Sequence, residues 1–486
     1  MLSYIKKERI EGQDNSKQKE PLGLLTVAAM LPEEWEKKLI DMNVTTLTDH
    51  DIAWADYVFI SAMEVQKESV KQVISQCNKL NTKVVAGGPY FTTGHEDIDG
   101  VDYFVLGEAE MTLKPFLEDL KNGCARHIYT SEDFPDISAT PVPLWSLINM
   151  NKYSSMNLQY SRGCPFDCEF CDIVVLNGHV PRTKSSEQLI AEMDALYNQG
   201  WRGTLFVVDD NFIGNKKKLK AEILPAMIKW RENKKYPFSL NTEASINLAD
   251  DEELLRLMVA AGFDTVFIGI ETPNAESLLE CTKIQNQNRD MVTSIKKIQE
   301  SGLEVQGGFI IGFDNDPVSI FQNQIEFIQR SGIVTAMVGL LNAPLGTKLY
   351  KRLEKENRLT KSFTGNNTDC CSLNFVPKMN HNTLIDGYRQ VINTIYSPKQ
   401  YYERIRTFMQ VYQPPRKKVE KLQVCQIKAL VRSIWFLGIY GEGKRHYWKL
   451  FISYAMRSPK KFVRFITLAV YGYHFRKVAV AQMYAT

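Results

Sequence analysis

Three cysteines spaced Cys164-x-x-x-Cys168-x-x-Cys171 restrict this chain more than any other feature. They sit in the run Gln159-Tyr-Ser-Arg-Gly-Cys-Pro-Phe-Asp-Cys-Glu-Phe-Cys-Asp172. An iron–sulfur cube takes four thiolates, one per iron, so a tight loop offering three leaves one iron with an open position. The same difference separates catalytic metal centres from closed structural ones. An open iron can hold a substrate or cofactor while the cluster passes it one electron, chemistry that no side chain performs unaided. A zinc ribbon would need a second Cys or His pair, and the nearest other cysteines, Cys124 and Cys281, stand alone in the sequence. A disulfide framework does not suit nine cysteines spread over 486 residues behind a polar amino terminus.

Beyond the loop, apolar runs alternate with amphipathic segments. Residues 186–199 place Leu189, Ile190, Met193, Leu196 and Tyr197 on one helical face and stop at Gly200. The strand-like run Thr204-Leu-Phe-Val-Val208 follows. The pattern then predicts helices near 217–233, 251–261, 289–301 and 319–330, with strands near 238–244, 265–270, 305–312 and 336–341. With a strand at 156–160 ahead of the cysteines, this makes six β-α units in a parallel sheet with right-handed crossovers. Six units suit a partial (β/α)6 barrel of the TIM type, since a closed one needs eight.

Chemistry in such barrels sits at the carboxyl ends of the strands. There the sequence places Asp209, Asp210 and Asn211, then Asn241 to Glu243, then Gly269 and Glu271, then Gly307 and Gly308, and finally Leu341-Asn-Ala-Pro. Any one of these reads equally well as a cap or turn. Five such endings beside the cysteine loop point to a shared site.

The first 140 residues alternate as well. Residues 23–30 are strand-like and 33–40 helical. Tyr57-Val-Phe-Ile-Ser61 precedes a helix with Val70, Val73, Ile74, Cys77 and Leu80 on one face. Val84-Val85 leads into Gly87 and Gly88, and Tyr103-Phe-Val-Leu106 into Gly107 and Glu108. A doubly wound sheet of this kind offers a ligand crevice at its strand ends, where these turns fall. Residues 1–20 are polar, so the sheet is expected to lack one element or to take it from elsewhere.

The triad, with Phe170 one place before its last cysteine, resembles the signature of the radical S-adenosylmethionine (SAM) superfamily. The resemblance implies that Cys164, Cys168 and Cys171 hold a 4Fe–4S cluster. It also implies that SAM chelates the fourth iron and is cleaved reductively to a 5′-deoxyadenosyl radical. Asp209, Asp210, Asn211 and Glu243 then become candidates for SAM's amino and ribose groups. Gly269 to Glu271 lies beside its ribose and adenine, and Gly307 and Gly308 permit close approach of the cofactor. An α/β domain ahead of the cluster loop resembles the cobalamin-binding class, of the hopanoid C-2 methyltransferase type. The matching phrases include Pro-Leu-Gly-Leu-Leu at 21–25, Ala-Gly-Gly-Pro at 86–89, Gly-Glu-Ala-Glu at 107–110, Val-Asp-Asp-Asn-Phe-Ile-Gly-Asn at 208–215 and Gly-Ile-Glu-Thr-Pro at 269–273. Ser61, Gly87, Gly88, Gly107 and Glu108 become the cobalamin-binding candidates. His95 departs from the Asp-x-His-x-x-Gly setting that supplies a lower cobalt ligand in many cobalamin proteins. The implied reaction is methylation of an unactivated carbon of a small, lipid-like molecule, with an electron donor such as flavodoxin or ferredoxin. No catalytic side chain can be named from the sequence.

The expected organisation is a polar tail at 1–20, a cobalamin-binding-like Rossmann domain at 21–140, a radical SAM core at 141–375 and a basic helical region at 376–486. The net charge of +3 conceals that last region: from Arg416 onward, fifteen Lys and Arg face two acids, Glu420 and Glu442. It reads either as a helical cap with its cations in water or as a surface that meets anionic lipid. No RNA-binding signature is present, so nucleic acid is not an expected partner. No apolar run approaches the ~20 residues of a membrane span, and a cytoplasmic protein with peripheral membrane contact is expected. Other outcomes are a radical SAM enzyme that rearranges, cyclises or methylthiolates, and a non-catalytic redox protein. Cys370-Cys371 as a second metal site is the weakest reading.

Overall fold

The computed structural model describes residues 2–4, 18–360, 365, 366, 368, 373–414 and 424–484. Cys370 and Cys371 lie outside the described residues. Strands β1 (Leu2–Tyr4), β3 (Leu39–Asp41), β4 (Tyr57–Ser61), β5 (Lys83–Gly87), β6 (Tyr103–Val105) and β7 (Ile128–Tyr129) form one sheet, in the order β3-β1-β4-β5-β6-β7. Every pair in it is parallel. The expected missing element is therefore present: Leu2-Ser-Tyr4 lies between β3 and β4. Three residues in a polar setting carry no readable alternation.

A second correction concerns residues 23–30. Leu22–Met30 is a helix and Leu39–Asp41 the strand, the reverse of the sequence reading. The run Leu-Gly-Leu-Leu-Thr-Val-Ala-Ala-Met is apolar all round, and periodicity cannot separate a buried helix from a buried strand. Its composition of Leu, Ala and Met favours helix. Leu24, Ala28 and Leu31 pack with Phe59 and Val85 of the first sheet and with Phe116 of the helix Ala109–Lys121, while Leu25 joins the core of the second.

The second sheet holds β2 (Gln18–Lys19), β8 (Tyr153–Leu158), β11 (Thr204–Val207), β12 (Ser239–Ala244), β13 (Phe263–Glu271), β14 (Glu304–Ile311) and β15 (Ala336–Leu340). Its order is β15-β14-β13-β12-β11-β8-β2, all parallel, and its two edges do not pair, so the barrel stays open. Register and burial divide each strand between two faces. Leu205, Val207, Leu240, Val266, Ile268, Val305 and Val338 are buried against the helices. The alternate row, Phe206, Asn241, Glu243, Phe267, Gly269, Gln306, Gly308, Ile310 and Met337, is half-exposed or exposed and lines the concave inner face.

The carboxyl-terminal helices close the amino ends of these strands. Arg464, in the helix Pro459–Tyr484, pairs with buried Glu304 at 2.8 Å and lies 3.8 Å from Asp264. Tyr401 Oη donates to the Leu468 carbonyl at 2.8 Å. The basic region thus spends part of its charge inside the fold, against the reading in which its cations all face water. No helix of the described residues is long and apolar enough to cross a membrane.

Candidate active site between the two sheets

The cysteine loop is an excursion from the end of β8. Short strands β9 (Ser161–Arg162) and β10 (Arg182–Thr183) pair antiparallel and pinch its base. Gly163 has φ +92°, and a Cβ there would stand 2.8 Å from the Val180 carbonyl oxygen, so only glycine passes. The neighbouring strand end secures the loop. Asp209 accepts from the Tyr160 N–H at 2.8 Å and the Ser161 hydroxyl at 2.6 Å. Asp210 Oδ2 accepts from the Gly163 N–H and the Asn177 amide, both at 2.9 Å. Asp209, 1 % exposed, therefore has both carboxylate oxygens engaged by the loop. Asn211 is likewise engaged, its Oδ1 accepting from the Ser245 N–H and hydroxyl at the end of β12. Burial pushes the Asp209 carboxyl up to about 7.

Cys164, Cys168 and Cys171 are free thiols, the second buried and the others partly so. The Cys171 N–H donates to the Cys168 carbonyl at 3.0 Å, closing the turn between them. Burial raises all three thiol pKa values, Cys171 to about 12, and in each case the charge of Lys283 acts in the opposite direction. Among the described residues no three His, Cys, Asp or Glu side chains converge on a single ion. A cube does not require that convergence, because each thiolate takes a different iron. The donor set, all sulfur and free of disulfides, fits three corners of such a cluster.

Lys283 and its neighbours are the functional surroundings that sequence reasoning missed. Glu271 has φ +61°, uncommon for a residue with a side chain. From there its carboxylate accepts from Lys283 Nζ at 2.7 Å, with both side chains nearly buried. A Cβ on Gly269 would lie 2.3 Å from Glu271 Oε1 and 2.9 Å from Lys283 Nζ, so that glycine makes room for the pair. Burial disfavours the Lys283 charge, but the Glu271 carboxylate and, after it, a Cys168 thiolate outweigh it and raise its pKa. Gln285 approaches Cys168 Sγ at 3.9 Å, and the Cys281 carbonyl accepts from the Glu169 N–H at 3.0 Å. The only sequence signal is a cation and two amides close behind the helix Ala275–Glu280. Outside the loop, Arg352 ties Glu169 (2.7 Å) to Asp314 (2.8 Å), and Lys348 pairs with Asp167.

Of the remaining barrel candidates, Glu243 and Gly308 lie on the inner face, where a Cβ on Gly308 would meet Phe267 at 2.8 Å. Gly307 is a correction. It faces outward, where a Cβ would meet Phe309 at 2.8 Å and Ile333 at 3.0 Å.

The first sheet presents its own strand ends to this region. Gly88 has φ +89°, and a Cβ there would sit 2.5 Å from Ser61 Oγ; one on Gly87 would sit 2.6 Å from the Val105 carbonyl oxygen. The Thr92 hydroxyl donates to the Gly88 carbonyl at 2.9 Å and accepts from the Gly107 N–H at 3.0 Å. Gly107, φ +72°, has no atom within 4 Å of where its Cβ would stand. Gly87 and Gly88 are thus held to glycine by close packing and Gly107 opens onto free space, so with Ser61 they leave a strand-end floor short of side chains, which fits a broad, flat macrocycle. Glu108 does not belong to it. Its carboxylate is bound by Arg162 and Arg182, each at 2.5 Å, while Glu110 takes a second hold on Arg162 at 2.9 Å. On the other side a Cβ on Gly94 would stand 4.0 Å from Leu345, beyond the end of β15. The carboxyl ends of both sheets therefore face each other.

A family model for the radical SAM superfamily matches residues 158–328, one for the B12 binding domain matches 17–117, and a domain of unknown function matches 347–484. The chain is 40% identical over 459 residues to the uncharacterized methyltransferase sll1242 of Synechocystis sp., covering 94% of this chain and 85% of the relative. It is 32% identical over 449 residues to the hopanoid C-2 methylase of Rhodopseudomonas palustris, covering 90% and 84%. In fold it is similar to the cobalamin-dependent SAM radical enzyme OxsB with aqua-cobalamin and SAM bound, with a TM-score of 0.64 at 15% identity over 99% of this chain and 80% of that one. It is also similar to the radical SAM methyltransferase TsrM from Kitasatospora setae with cobalamin and cluster bound, with a TM-score of 0.62 at 14% identity over 98% and 99%. The chain belongs to the cobalamin-dependent radical SAM methyltransferases, enzymes that work with a 4Fe–4S cluster, SAM and cobalamin.

Proposed function

We propose that the protein methylates an unactivated carbon of a lipid-like small molecule held between the two sheets. In this reading Cys164, Cys168 and Cys171 each bind one iron of the cluster. Asp210, Glu243, Gly269, Glu271 and Gly308 border SAM, and Ser61, Gly87, Gly88 and Gly107 lie beneath cobalamin. The observation that carries the substrate class is the inner wall of the half-barrel. Phe206, Phe267, Ile310 and Met337 leave apolar surface open on a concave face whose other side is fully packed. Concave apolar surface with a few polar groups, here Asn241, Glu243 and Gln306, is the usual form of a small-molecule site.

When bound, the cluster supplies the electron that cleaves SAM, and cobalamin carries the methyl group. The chain's own residues hold the parts in place. Asp209 and Asp210 fix the cysteine loop, Lys283 keeps a positive charge against its thiols, and the Arg162–Glu108 contact sets the loop against the glycine floor. A flavodoxin- or ferredoxin-type donor serves the cluster, and the basic carboxyl-terminal region brings the protein to the cytoplasmic face of a membrane. Membership in an enzyme family removes the purely redox alternative.

The test is anaerobic reconstitution with iron, sulfide and hydroxocobalamin, then incubation with methyl-labelled SAM, a reductant and a membrane lipid extract. The reading expects label in an apolar product together with 5′-deoxyadenosine. Deoxyadenosine without transferred label would favour rearrangement or cyclisation instead.

A further inference from the structure

The helix Val424–Ser433 runs on without a break into a π-helical turn at Ile434–Ile439. One side of this rod is buried: Ser433, Leu437 and Gly438 meet the next helix, Lys444–Arg457. The Trp448 indole donates to the Gly438 carbonyl at 2.9 Å, and the Ser433 and Tyr447 hydroxyls are 3.0 Å apart. Other positions of the rod are more open, although the Phe436 ring approaches Tyr473 of the last helix at 6.3 Å. Val431, Trp435, Phe436, Ile439 and Tyr440 are 61%, 52%, 47%, 47% and 68% exposed. They fall at i, i+4, i+5, i+8 and i+9, the pattern of one broad helical face, and the Trp435 and Tyr440 rings pair at 5.3 Å.

Cations flank this stripe. Arg432 lies within it, and Lys444, Arg445 and Lys449 are exposed just beyond it. On the second helix, Arg445, Lys449, Ile452 and Met456 fall at i, i+4, i+7 and i+11, all exposed, so the mixture of cation and apolar side chain continues. Between residues 424 and 484 there are eleven Lys and Arg and one acid, Glu442, and that acid is paired with Arg476.

We infer that this face, Val431 to Tyr440 with the cations of the following helix, docks the protein on an anionic bilayer surface. Trp and Tyr at the edge of an apolar stripe settle at headgroup level, and Lys and Arg beside them meet the lipid charge. Charge of a single sign distinguishes this surface from a self-complementary interface, where a second copy would bring the same cations against it. The inference deepens the lipid-facing part of the function proposed above, yet it concerns docking and not the methylated carbon.

The test is flotation of the full-length protein with vesicles of phosphatidylcholine alone or mixed with phosphatidylglycerol. Co-flotation is expected with the anionic vesicles only, and it should weaken with added salt. Trp435→Ser/Ile439→Ser should abolish flotation while leaving the thermal melt unchanged, and Arg445→Glu/Lys449→Glu should abolish it independently. Absence of flotation, or flotation unaffected by both variants, overturns the inference. So does a dimer in solution that the Trp435→Ser/Ile439→Ser variant dissociates. A protein that floats but labels no lipid contradicts the substrate reading alone, and one that labels lipid without floating contradicts the docking face alone.

Discussion

The guanidinium of Arg162, two residues ahead of the first loop cysteine, is clasped by the carboxylate of Glu108 from the neighbouring sheet. Both side chains are almost wholly buried, at 13% and 8% exposure, and Arg182 and Glu110 complete the group. One contact thus fixes the cysteine loop relative to the glycine floor. Removing Glu108 leaves Arg162 with Glu110 but takes from Arg182 the carboxylate it pairs with, and an uncompensated buried charge costs about 3–5 kcal/mol. Glu108→Ala is expected to lower the urea midpoint accordingly, and Glu108→Gln less so. An unchanged midpoint would show that the clasp does not hold the two sheets together.

Each of Cys164→Ala, Cys168→Ala and Cys171→Ala is expected to abolish iron and sulfide uptake on anaerobic reconstitution. Cys281 is also buried near Cys168, but it touches the loop through its backbone carbonyl. Cys281→Ala is therefore expected to keep a full complement of iron. Iron analysis and the charge-transfer absorbance separate the four variants.

Lys283 sets a buried positive charge beside the loop. A unit charge several ångströms away at an effective dielectric of 20 is worth roughly 2 kcal/mol, on the order of 100 mV for one electron. Lys283→Gln is expected to move the cluster midpoint to a more negative potential by that order, read by redox titration with electron paramagnetic resonance. A positive shift would contradict the electrostatic role.

The glycine floor makes a separate prediction. Gly107→Leu fills open space and adds strain at φ +72°, so cobalamin absorbance after reconstitution should be lost while the cluster spectrum persists. Loss of both spectra would mean that the substitution unfolds the protein.

Two carboxyls give opposite pH signatures in the metal-free protein. Asp209, raised by burial to about 7, binds a proton more tightly folded than unfolded, so its contribution makes stability fall as pH rises from ~4 to 7. Asp314 is also desolvated by burial, but Arg358 and Arg352 overcome that and hold it at about 2, so its contribution is present above pH ~4 and lost as pH falls through 2. Asp209→Asn is expected to flatten the upper part of the thermal stability profile and leave the acid limb in place. An unaltered profile would contradict the assignment.

The barrel was legible because some of its strands carry apolar runs, such as Leu205-Phe-Val-Val208 and Val266-Phe-Ile268, and because the helices at 252–261, 291–300 and 320–331 keep a clear 3.6 period. The cysteine spacing was legible because it is purely local. What escaped reading depends on which residues meet in space. Glu108 reads as a ligand to cobalamin until Arg162 and Arg182 arrive from 54 and 74 residues away. Asp209 reads as a contact to SAM until Tyr160 and Ser161 occupy both its oxygens. Lys283 carries no motif at all, and its role follows from the turn at Glu271. Leu2–Tyr4 is too short for any periodicity to register.

The most direct measurement of the central claim is reductive cleavage of SAM by the reconstituted protein under anaerobic conditions. The account predicts 5′-deoxyadenosine from the native chain and none from the Cys164→Ala, Cys168→Ala or Cys171→Ala variant. A fully iron-loaded native protein that leaves SAM intact would contradict it.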